Sequence, residues 1–161
     1  FAVTHAGLNF QEYENLIWID ADTIFKKPLS KKKLDKFIDK EAMINFFGRK
    51  KQYSECGFLV FNLKHSKCKD YFIEMKRMYT SNDIYTLKEW HDSYVWDHIR
   101  VLFENKYNVK TYSISGFKYT DHVLLFTNLY KYFDHLKGHV RKKQGYSCKP
   151  ENYKKMYDSK K

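Results

Sequence analysis

Short apolar runs alternate along this chain with stretches of helical periodicity, and this alternation limits the fold more than any other feature. The first run, residues 15–19, contains aromatic and β-branched side chains and predicts a buried strand that ends at Asp20. Later runs predict further strands at residues 42–47, 57–63, 107–114 and 123–126. Strands interleaved with helices favour an α/β fold, with a mixed sheet flanked by helices, over a helical bundle or an all-β sandwich.

Three stretches carry apolar side chains at the spacing of one helix face. The first follows Ser30, its predicted N-cap, the second follows Ser66 in the same role, and the third begins at about His91. The side chains expected on the buried faces are Leu34, Phe37 and Ile38 in the first helix, Cys68, Phe72, Met75 and Tyr79 in the second, and Val95, Ile99, Leu102 and Phe103 in the third.

The chain is strongly basic, with 30 Lys and Arg against 19 Asp and Glu among 161 residues and a formal charge of +11. Such an excess favours polyanion partners, because cations that neutralise phosphates dominate the affinity for nucleic acid. Only four of these cations are Arg, however, and base-edge recognition prefers the planar fork of Arg. We therefore interpret most of the charge as a lysine-rich solvated surface and expect no nucleic-acid partner. A non-catalytic basic module that binds nucleic acid or another polyanion is the alternative function.

Few residues interrupt the chain. Two Pro and six Gly, without a Gly/Ser-rich linker or an internal repeat, predict one domain over residues 1–145 and a basic C-terminal tail over residues 146–161. No apolar run reaches the length of a membrane span. The three cysteines lack C-x-x-C spacing, which indicates neither a disulfide framework nor a structural zinc site. We therefore expect a reducing, cytoplasmic location.

Two carboxylates follow the first predicted strand directly, as Asp20 and Asp22 in a D-x-D motif. In open α/β sheets, ligands bind in the crevice beyond the carboxyl ends of strands, so this pair is expected to face a crevice. Hard oxygen ligands in such a pair suit Mg²⁺ or Mn²⁺, and a phosphate-bearing substrate completes the coordination shell. The motif therefore predicts a metal site at the end of the strand.

Two other interpretations of the same residues stay open. Either aspartate could simply end the strand by bonding backbone N–H groups in an Asx-turn. Alternatively, Asp20 could be the nucleophile of a phosphatase of the haloacid-dehalogenase type. The pattern of that family places Thr or Val two residues after the second aspartate, whereas here Thr23 follows Asp22 immediately.

Four segments of the chain resemble glycosyltransferases of the GT-A fold, most closely those of glycosyltransferase family 8. The first is Leu-Ile-Trp-Ile-Asp-Ala-Asp-Thr at residues 16–23, which continues to Lys-Pro-Leu at 27–29. The later segments are Glu-Cys-Gly-Phe-Leu-Val-Phe-Asn at 55–62, Trp-His-Asp-Ser-Tyr-Val-Trp-Asp at 90–97 and His-Leu-Lys-Gly-His-Val-Arg-Lys at 135–142. They occur in the order of the family, and the last is similar to its C-terminal H-x-x-G-x-x-K element.

The resemblance implies a metal-dependent enzyme that transfers a hexose from a nucleotide-diphosphate sugar to a hydroxyl of a glycan, protein or lipid acceptor. It implies that Asp20, Asp22 and His135 hold the divalent cation, usually Mn²⁺ and otherwise Mg²⁺. Asp92 takes the catalytic position, where it contacts sugar hydroxyls or acts as general base. The implied contacts with the nucleotide sugar come from Gly57, Gly138, Arg141 and Lys142.

The sequence also departs from the family at several positions, among them Ser93 in place of a Gln and the lack of Pro-Trp after Lys142, and in the length of its N-terminal part. Glu55 and Cys56 stand where an Asn and a small residue are usual. Only 19 residues precede Asp20, whereas GT-A enzymes have roughly a hundred residues there that bind the nucleotide base in a βαβ unit. The chain is therefore expected to be a fragment that corresponds to the later part of a GT-A domain, with the N-terminal nucleotide-binding half largely missing.

Overall fold

A four-stranded sheet and a two-stranded sheet organise the fold in the computed structural model, which describes residues 2–149, 151–153 and 155. The strands are β1 (Asn15–Ile19), β2 (Thr23–Phe25), β3 (Ile44–Phe47), β4 (Glu55–Asn62), β5 (Thr111–Ser113) and β6 (Phe133–His135). The α-helices are α1 (Ala2–Asn9), α2 (Lys31–Leu34), α3 (Cys68–Thr80), α4 (Asp92–Tyr107) and α5 (His139–Gln144). Short 3₁₀ helices span Asp83–Thr86, Val123–Phe126 and Asn128–Lys131.

The larger sheet has the strand order β1-β4-β3-β5 and is mixed. Strand β4 pairs antiparallel with both β1 and β3, whereas β3 and β5 run parallel. Helices flank this sheet, so the predicted mixed α/β fold is confirmed at this level. The smaller sheet pairs β2 antiparallel with β6.

Strand β4 separates two hydrophobic cores because successive side chains of a strand point to opposite faces. Leu59 and Phe61 pack into a core that contains the apolar faces of α3 and α4. Phe58 and Val60 face the other way, into a core formed with the 3₁₀ helices Val123–Phe126 and Asn128–Lys131 and with Phe133 of β6. All four side chains are at most 2% exposed, which explains why β4 has an almost continuous apolar sequence.

Helix α1, which the sequence did not predict, packs against α3. Its close approach requires Gly7, because a Cβ there would lie 2.3 Å from the ring of Phe72. Helix α4 begins where the sequence predicted, with a ring nitrogen of His91 accepting a hydrogen bond from the N–H of Tyr94. Asn108 follows the last residue of the helix and has the left-handed backbone that is typical of a helix C-terminus.

Several predicted elements differ from the observed ones. Residues 123–126 form a 3₁₀ helix and not a strand, because an apolar run of four residues does not distinguish the two. Residues 107–114 contain only the short β5, since the last helical residue of α4 is Tyr107. Leu102, expected on the buried face of α4, is 39% exposed. Helix α2 ends at Leu34, so Phe37 and Ile38, which were expected on its buried face, lie beyond the helix.

The predicted tail is only partly described, since residues 150, 154 and 156–161 lie outside the described residues. The part that is described contacts the body of the fold. Tyr130 donates a hydrogen bond from its hydroxyl to the carbonyl of Cys148, and Tyr153 donates one to the carbonyl of Thr127. In the described part of the chain, no helix combines the length and apolar character needed to cross a membrane.

Candidate metal centre

The turn between β1 and β2 places the two aspartates beside β6. The N–H of Asp20 extends the sheet by donating to the carbonyl of Gly57 over 3.1 Å, and the chain then turns through a hydrogen bond from Thr23 N–H to the carbonyl of Asp20. Strand β2 starts at Thr23, which pairs with His135 in β6. This pairing brings together residues that are more than a hundred positions apart in sequence.

The three predicted metal ligands form one cluster. His135 Nε2 lies 2.9 Å from Oδ1 of Asp22 and 3.5 Å from Oδ2 of Asp20. One ligand atom from each residue can be chosen so that all three atoms lie within 4.8 Å of one another. Ligands at about 2.1 Å from Mg²⁺ in octahedral geometry are roughly 3 Å apart when adjacent and roughly 4 Å apart when opposite. Two carboxylates and an imidazole at these separations therefore fit a small divalent cation.

Glu55 is a fourth member of the cluster, which the sequence interpretation recorded only as a departure from the family pattern. It is the first residue of β4 and 3% exposed, and its Oε1 lies 3.1 Å from Nδ1 of His135. A carboxylate in this position holds the proton on Nδ1 and leaves Nε2 to face the two aspartates, as in many histidine metal sites. One feature of the sequence could have identified Glu55 as a site residue. It is an acid at the start of a continuous apolar strand, and burying a carboxylate there without a partner is costly.

Charge pairing controls the ionisation of Glu55 and His135. Burial by itself would raise the pKa of Glu55, but the hydrogen bond from His135 and the charge of Lys137 outweigh it and lower that pKa to about 2. Lys137 Nζ lies 3.2 Å from the same carboxylate oxygen. Burial would likewise lower the pKa of His135, yet Glu55 and the two aspartates raise it. In the absence of another cation, the surrounding carboxylates therefore favour the protonated form of His135.

The two aspartates differ in their environments. Burial raises the pKa of Asp20, and the neighbouring charge of His135 and a 3.3 Å hydrogen bond from Trp18 Nε1 offset this effect only in part. For Asp22, burial also acts to raise the pKa, but the ammonium of Lys142 and the charge of His135 outweigh it and the pKa is lowered. Lys142 Nζ lies 2.8 Å from Oδ2 of Asp22. The predicted Lys142 therefore reaches the cluster.

Gly57 is the residue that allows His135 to approach the aspartates. A Cβ at this position would lie 2.6 Å from Cε1 of His135 and 3.1 Å from Oδ2 of Asp20, and contacts under 3.0 Å are essentially never seen for a real Cβ. The sequence interpretation placed Gly57 in a sugar pocket. The contact that the structure gives it is with the candidate ligands themselves.

The other residues predicted to bind the nucleotide sugar take different positions. Arg141 lies next to Lys142 in α5, but its Nη1 donates to the carbonyl of Lys137 and its side chain lines a separate cavity. Gly138 precedes α5 with a φ of +86°, and no atom lies within 4 Å of where its Cβ would be. The structure thus separates two cations that the motif presented as a pair.

Asp92, the predicted catalytic carboxylate, is the first residue of α4 and lies beside the cluster. Its Oδ1 accepts from the N–H of Ser93, and its Oδ2 accepts from the thiol of Cys56 at 3.4 Å. Its charge helps to raise the pKa of Asp20. A carboxylate at the N-terminal end of a helix also interacts favourably with the helix dipole. The position of Asp92 is therefore compatible with a structural role as well as a catalytic one.

Comparisons of the chain with models of known protein families, with curated proteins and with solved structures found no match. The chemistry of the cluster is therefore the basis for a functional proposal.

Proposed function

We propose that this protein is a metal-dependent glycosyltransferase, or part of one, with a GT-A-like fold that transfers a hexose from a nucleotide-diphosphate sugar to an acceptor hydroxyl. The observation that carries the proposal is the convergence of Asp20, Asp22 and His135 with Lys142 beside them. A cation site with an adjacent ammonium group suits a substrate that carries a diphosphate.

The positions of the four sequence segments that resemble the family add support. Residues 16–23 supply the aspartates, residues 135–142 supply His135, and residues 55–62 supply Glu55 and Gly57, which both contact that histidine. Residues 90–97 join the same place through the hydrogen bond between Cys56 and Asp92. Segments related only by order in the sequence thus surround one cluster.

The donor atoms fit Mn²⁺ or Mg²⁺, because carboxylate oxygens suit both cations and Mn²⁺ also accepts an imidazole. A divalent cation in this place would offset the negative charge that develops on the departing nucleoside diphosphate. Glu55 would keep His135 in the required tautomer, and Gly57 would leave room for its ring. In this proposal the role of these two residues is to position the metal ligands.

The remaining residues act on the substrate through charge and hydrogen bonding. Lys142 would exchange its contact with Asp22 for a diphosphate oxygen and so share in stabilising the leaving group. Asp92 would accept a hydrogen bond from a sugar hydroxyl, and in an inverting enzyme would remove the proton of the acceptor hydroxyl. Most of the rate enhancement would therefore come from electrostatic stabilisation and from orientation of the two sugars.

The proposal is tested with a panel of nucleoside-diphosphate hexoses, measuring both binding and slow hydrolysis of the donor with and without Mn²⁺. We expect at least one donor to be hydrolysed only with the metal, and this activity to be lost in Asp22→Asn. The matched control is Asp70→Asn on α3, where the carboxylate forms an exposed pair with Lys67.

Other results would identify the alternative functions. Metal-independent hydrolysis of a generic phosphate ester that is lost in Asp20→Asn would favour the phosphatase and contradict a glycosyltransferase. Binding of a polyanion that weakens steeply with salt and is unchanged in Asp22→Asn, without donor hydrolysis, would favour the basic module.

A further inference from the structure

A second polar site lies next to the candidate metal centre, in a cavity of about 530 Å³. Its lining includes Lys50, Lys118, Arg141, His122, Tyr119 and Phe126. This volume is in the range of small-molecule sites, which are roughly 300–1,000 Å³. The ring centroids of His122 and His135 are 6.4 Å apart, so the cavity lies close to the metal cluster.

His122 is the most informative residue of this cavity. It is only 4% exposed, and within the described part of the chain neither ring nitrogen has a hydrogen-bond partner. Burial, together with the nearby charge of Arg141, lowers the pKa of His122, so the ring is neutral and has one N–H donor and one acceptor. A buried donor without a partner is unfavourable, and a small movement of the ring would let a ligand oxygen in the cavity accept its hydrogen bond.

The cations of the cavity have no acidic partners in the part of the chain that the structure describes. Among the described residues, the structure gives no ion pair to Lys50, Lys118 or Arg141. By contrast, Lys137 and Lys142 in the neighbouring cluster both contact carboxylates. Asp121, the one acid among the described residues of the lining, accepts a hydrogen bond from the backbone N–H of His122. Three cations against one acid leave an excess of two positive charges, which complements a phosphate monoester, whose charge is about −1.5 to −2 at pH 7.

Two loops that are joined by a hydrogen bond form the walls of the cavity. The N–H of Lys50 donates to the carbonyl of Tyr119 over 2.7 Å. Gly48 allows the loops to approach, since a Cβ there would lie 2.4 Å from the ring of Phe117. Tyr119 also stacks on Phe126, with ring centroids 4.5 Å apart, and presents an aromatic surface beside the cations. Aromatic surface next to a cationic pocket suits the ring of a sugar that carries a phosphate.

We propose that this cavity binds a phosphorylated sugar, with the phosphate among Lys50, Lys118 and Arg141 and one of its oxygens bonded to the N–H of His122. If the proposed function holds, this molecule is the acceptor, because the cavity adjoins the metal cluster and does not share its ligands. The acceptor role depends on the proposed function, whereas binding of the phosphorylated sugar does not.

Binding is tested by calorimetric titration with hexose 6-phosphate in EDTA, so that the metal centre does not contribute. We expect hexose 6-phosphate to bind more tightly than the neutral hexose, and the double variant Lys118→Gln/Arg141→Gln to weaken its binding at least about tenfold. The control, Lys69→Gln/Lys76→Gln on α3, removes the same charge from exposed positions and should leave binding unchanged. His122→Asn, which tolerates the left-handed backbone at this position, should also weaken binding.

Equal binding by the wild type and the cavity variant, with equal melting temperatures, would overturn the site. So would equal affinity for the neutral hexose, or no binding of the phosphorylated one. Tighter metal-free binding of a nucleoside diphosphate in competition with hexose 6-phosphate would assign the cavity to the donor and also overturn the proposal.

The acceptor role is measured separately, as transfer of labelled sugar to hexose 6-phosphate. Donor hydrolysis that needs Asp22 but gives no such transfer would reject the acceptor role and keep the proposed function.

Discussion

Two charged sites lie side by side in this protein, and they differ in how their charges are balanced. In the candidate metal cluster, His135 lies between three carboxylates and Lys142 pairs with Asp22. In the neighbouring cavity, Lys118 and Arg141 have no carboxylate partner among the described residues, and the ring nitrogens of His122 have no hydrogen-bond partner there. In the first site, a divalent cation could replace the proton of His135 and the ammonium group of Lys142. In the second site, the cations and the ring of His122 could donate hydrogen bonds to a ligand.

This difference shows how one short helix serves two sites. Arg141 and Lys142 are adjacent in α5, and successive residues of a helix point about 100° apart. Lys142 therefore reaches Asp22, while Arg141 lines the cavity. In the sequence, Arg141 and Lys142 look like one phosphate-binding element, but in the fold each side chain belongs to a different site.

The largest expected effect comes from removing a candidate metal ligand. Asp22→Asn should reduce Mn²⁺ affinity more than about a hundredfold, since loss of a ligand exceeds the 10- to 100-fold cost of losing an outer partner. Titration of Mn²⁺ followed by electron paramagnetic resonance measures this change. Binding of hexose 6-phosphate in EDTA should be unaffected in the same variant. Retention of full Mn²⁺ affinity by Asp22→Asn would contradict the metal assignment.

Glu55→Gln should reduce Mn²⁺ affinity about 10- to 100-fold, because Glu55 orients His135 without contacting the metal. It should also lower the free energy of unfolding, by about 3–5 kcal/mol near neutral pH. Since the pKa of Glu55 is lowered to about 2 from an ordinary value of 4.5, its stabilising effect is complete above pH 4.5. That effect is lost as the pH falls through about 2.

Urea unfolding of the wild type and Glu55→Gln at several pH values measures this dependence. The difference in stability between the two proteins should be largest near pH 6 and shrink towards pH 2. The raised pKa of His135 adds a second limit, because the contribution of its proton is lost as the pH rises through that value. A difference that stays constant from pH 6 to pH 2 would contradict the ion pair.

Two glycine variants compare the sites directly. Gly57→Ala should displace the ring of His135 and weaken Mn²⁺ binding about tenfold, with little effect on hexose 6-phosphate. Gly48→Ala should have the opposite pattern, because its Cβ would displace Phe117 in the loop wall of the cavity. Titrating each variant with Mn²⁺ and, separately, with hexose 6-phosphate measures the two affinities. Equal losses of both ligands in either variant would show that the two sites are not separate.

The smallest effect expected at the metal centre is a gain. Lys142→Gln should raise the affinity for Mn²⁺ alone by about 1.5- to 5-fold, because the exposed ammonium competes with the cation for Asp22. The same variant should bind a nucleoside diphosphate less tightly in the presence of Mn²⁺. Lys143→Gln, the adjacent exposed lysine, is the control. A loss of Mn²⁺ affinity in Lys142→Gln would contradict the competition.

The sequence predicted those parts of the molecule whose structure depends on local pattern. Strand β1 ends where the apolar run ends, and α3 and α4 appear where the spacing of apolar residues indicated helices. Strands β2 and β6 were not predicted, because each has three residues and acquires its structure from the other strand. The 3₁₀ helix at Val123–Phe126 was assigned as a strand for the related reason that its apolar run is too short to show a period.

The candidate site shows the same division. Asp20 and Asp22 followed from their position at a strand end, whereas His135 was named only through the resemblance to a family. Glu55 and His122 were not predicted as site residues, because each gains its role from a residue far away in sequence: His135 for Glu55, and Arg141 for His122.

The sequence by itself determined a mixed α/β fold, a carboxylate pair at the end of its first strand and an excess of positive charge. Only the tertiary structure decided which partners those charges have. Pairing of β2 with β6 places His135 against the aspartates, and the loop that contains His122 lines a cavity with Lys50, Lys118 and Arg141. The physical reason is that the strength of a charge or hydrogen bond depends on burial and on distance, and both are set by contacts between distant parts of the chain.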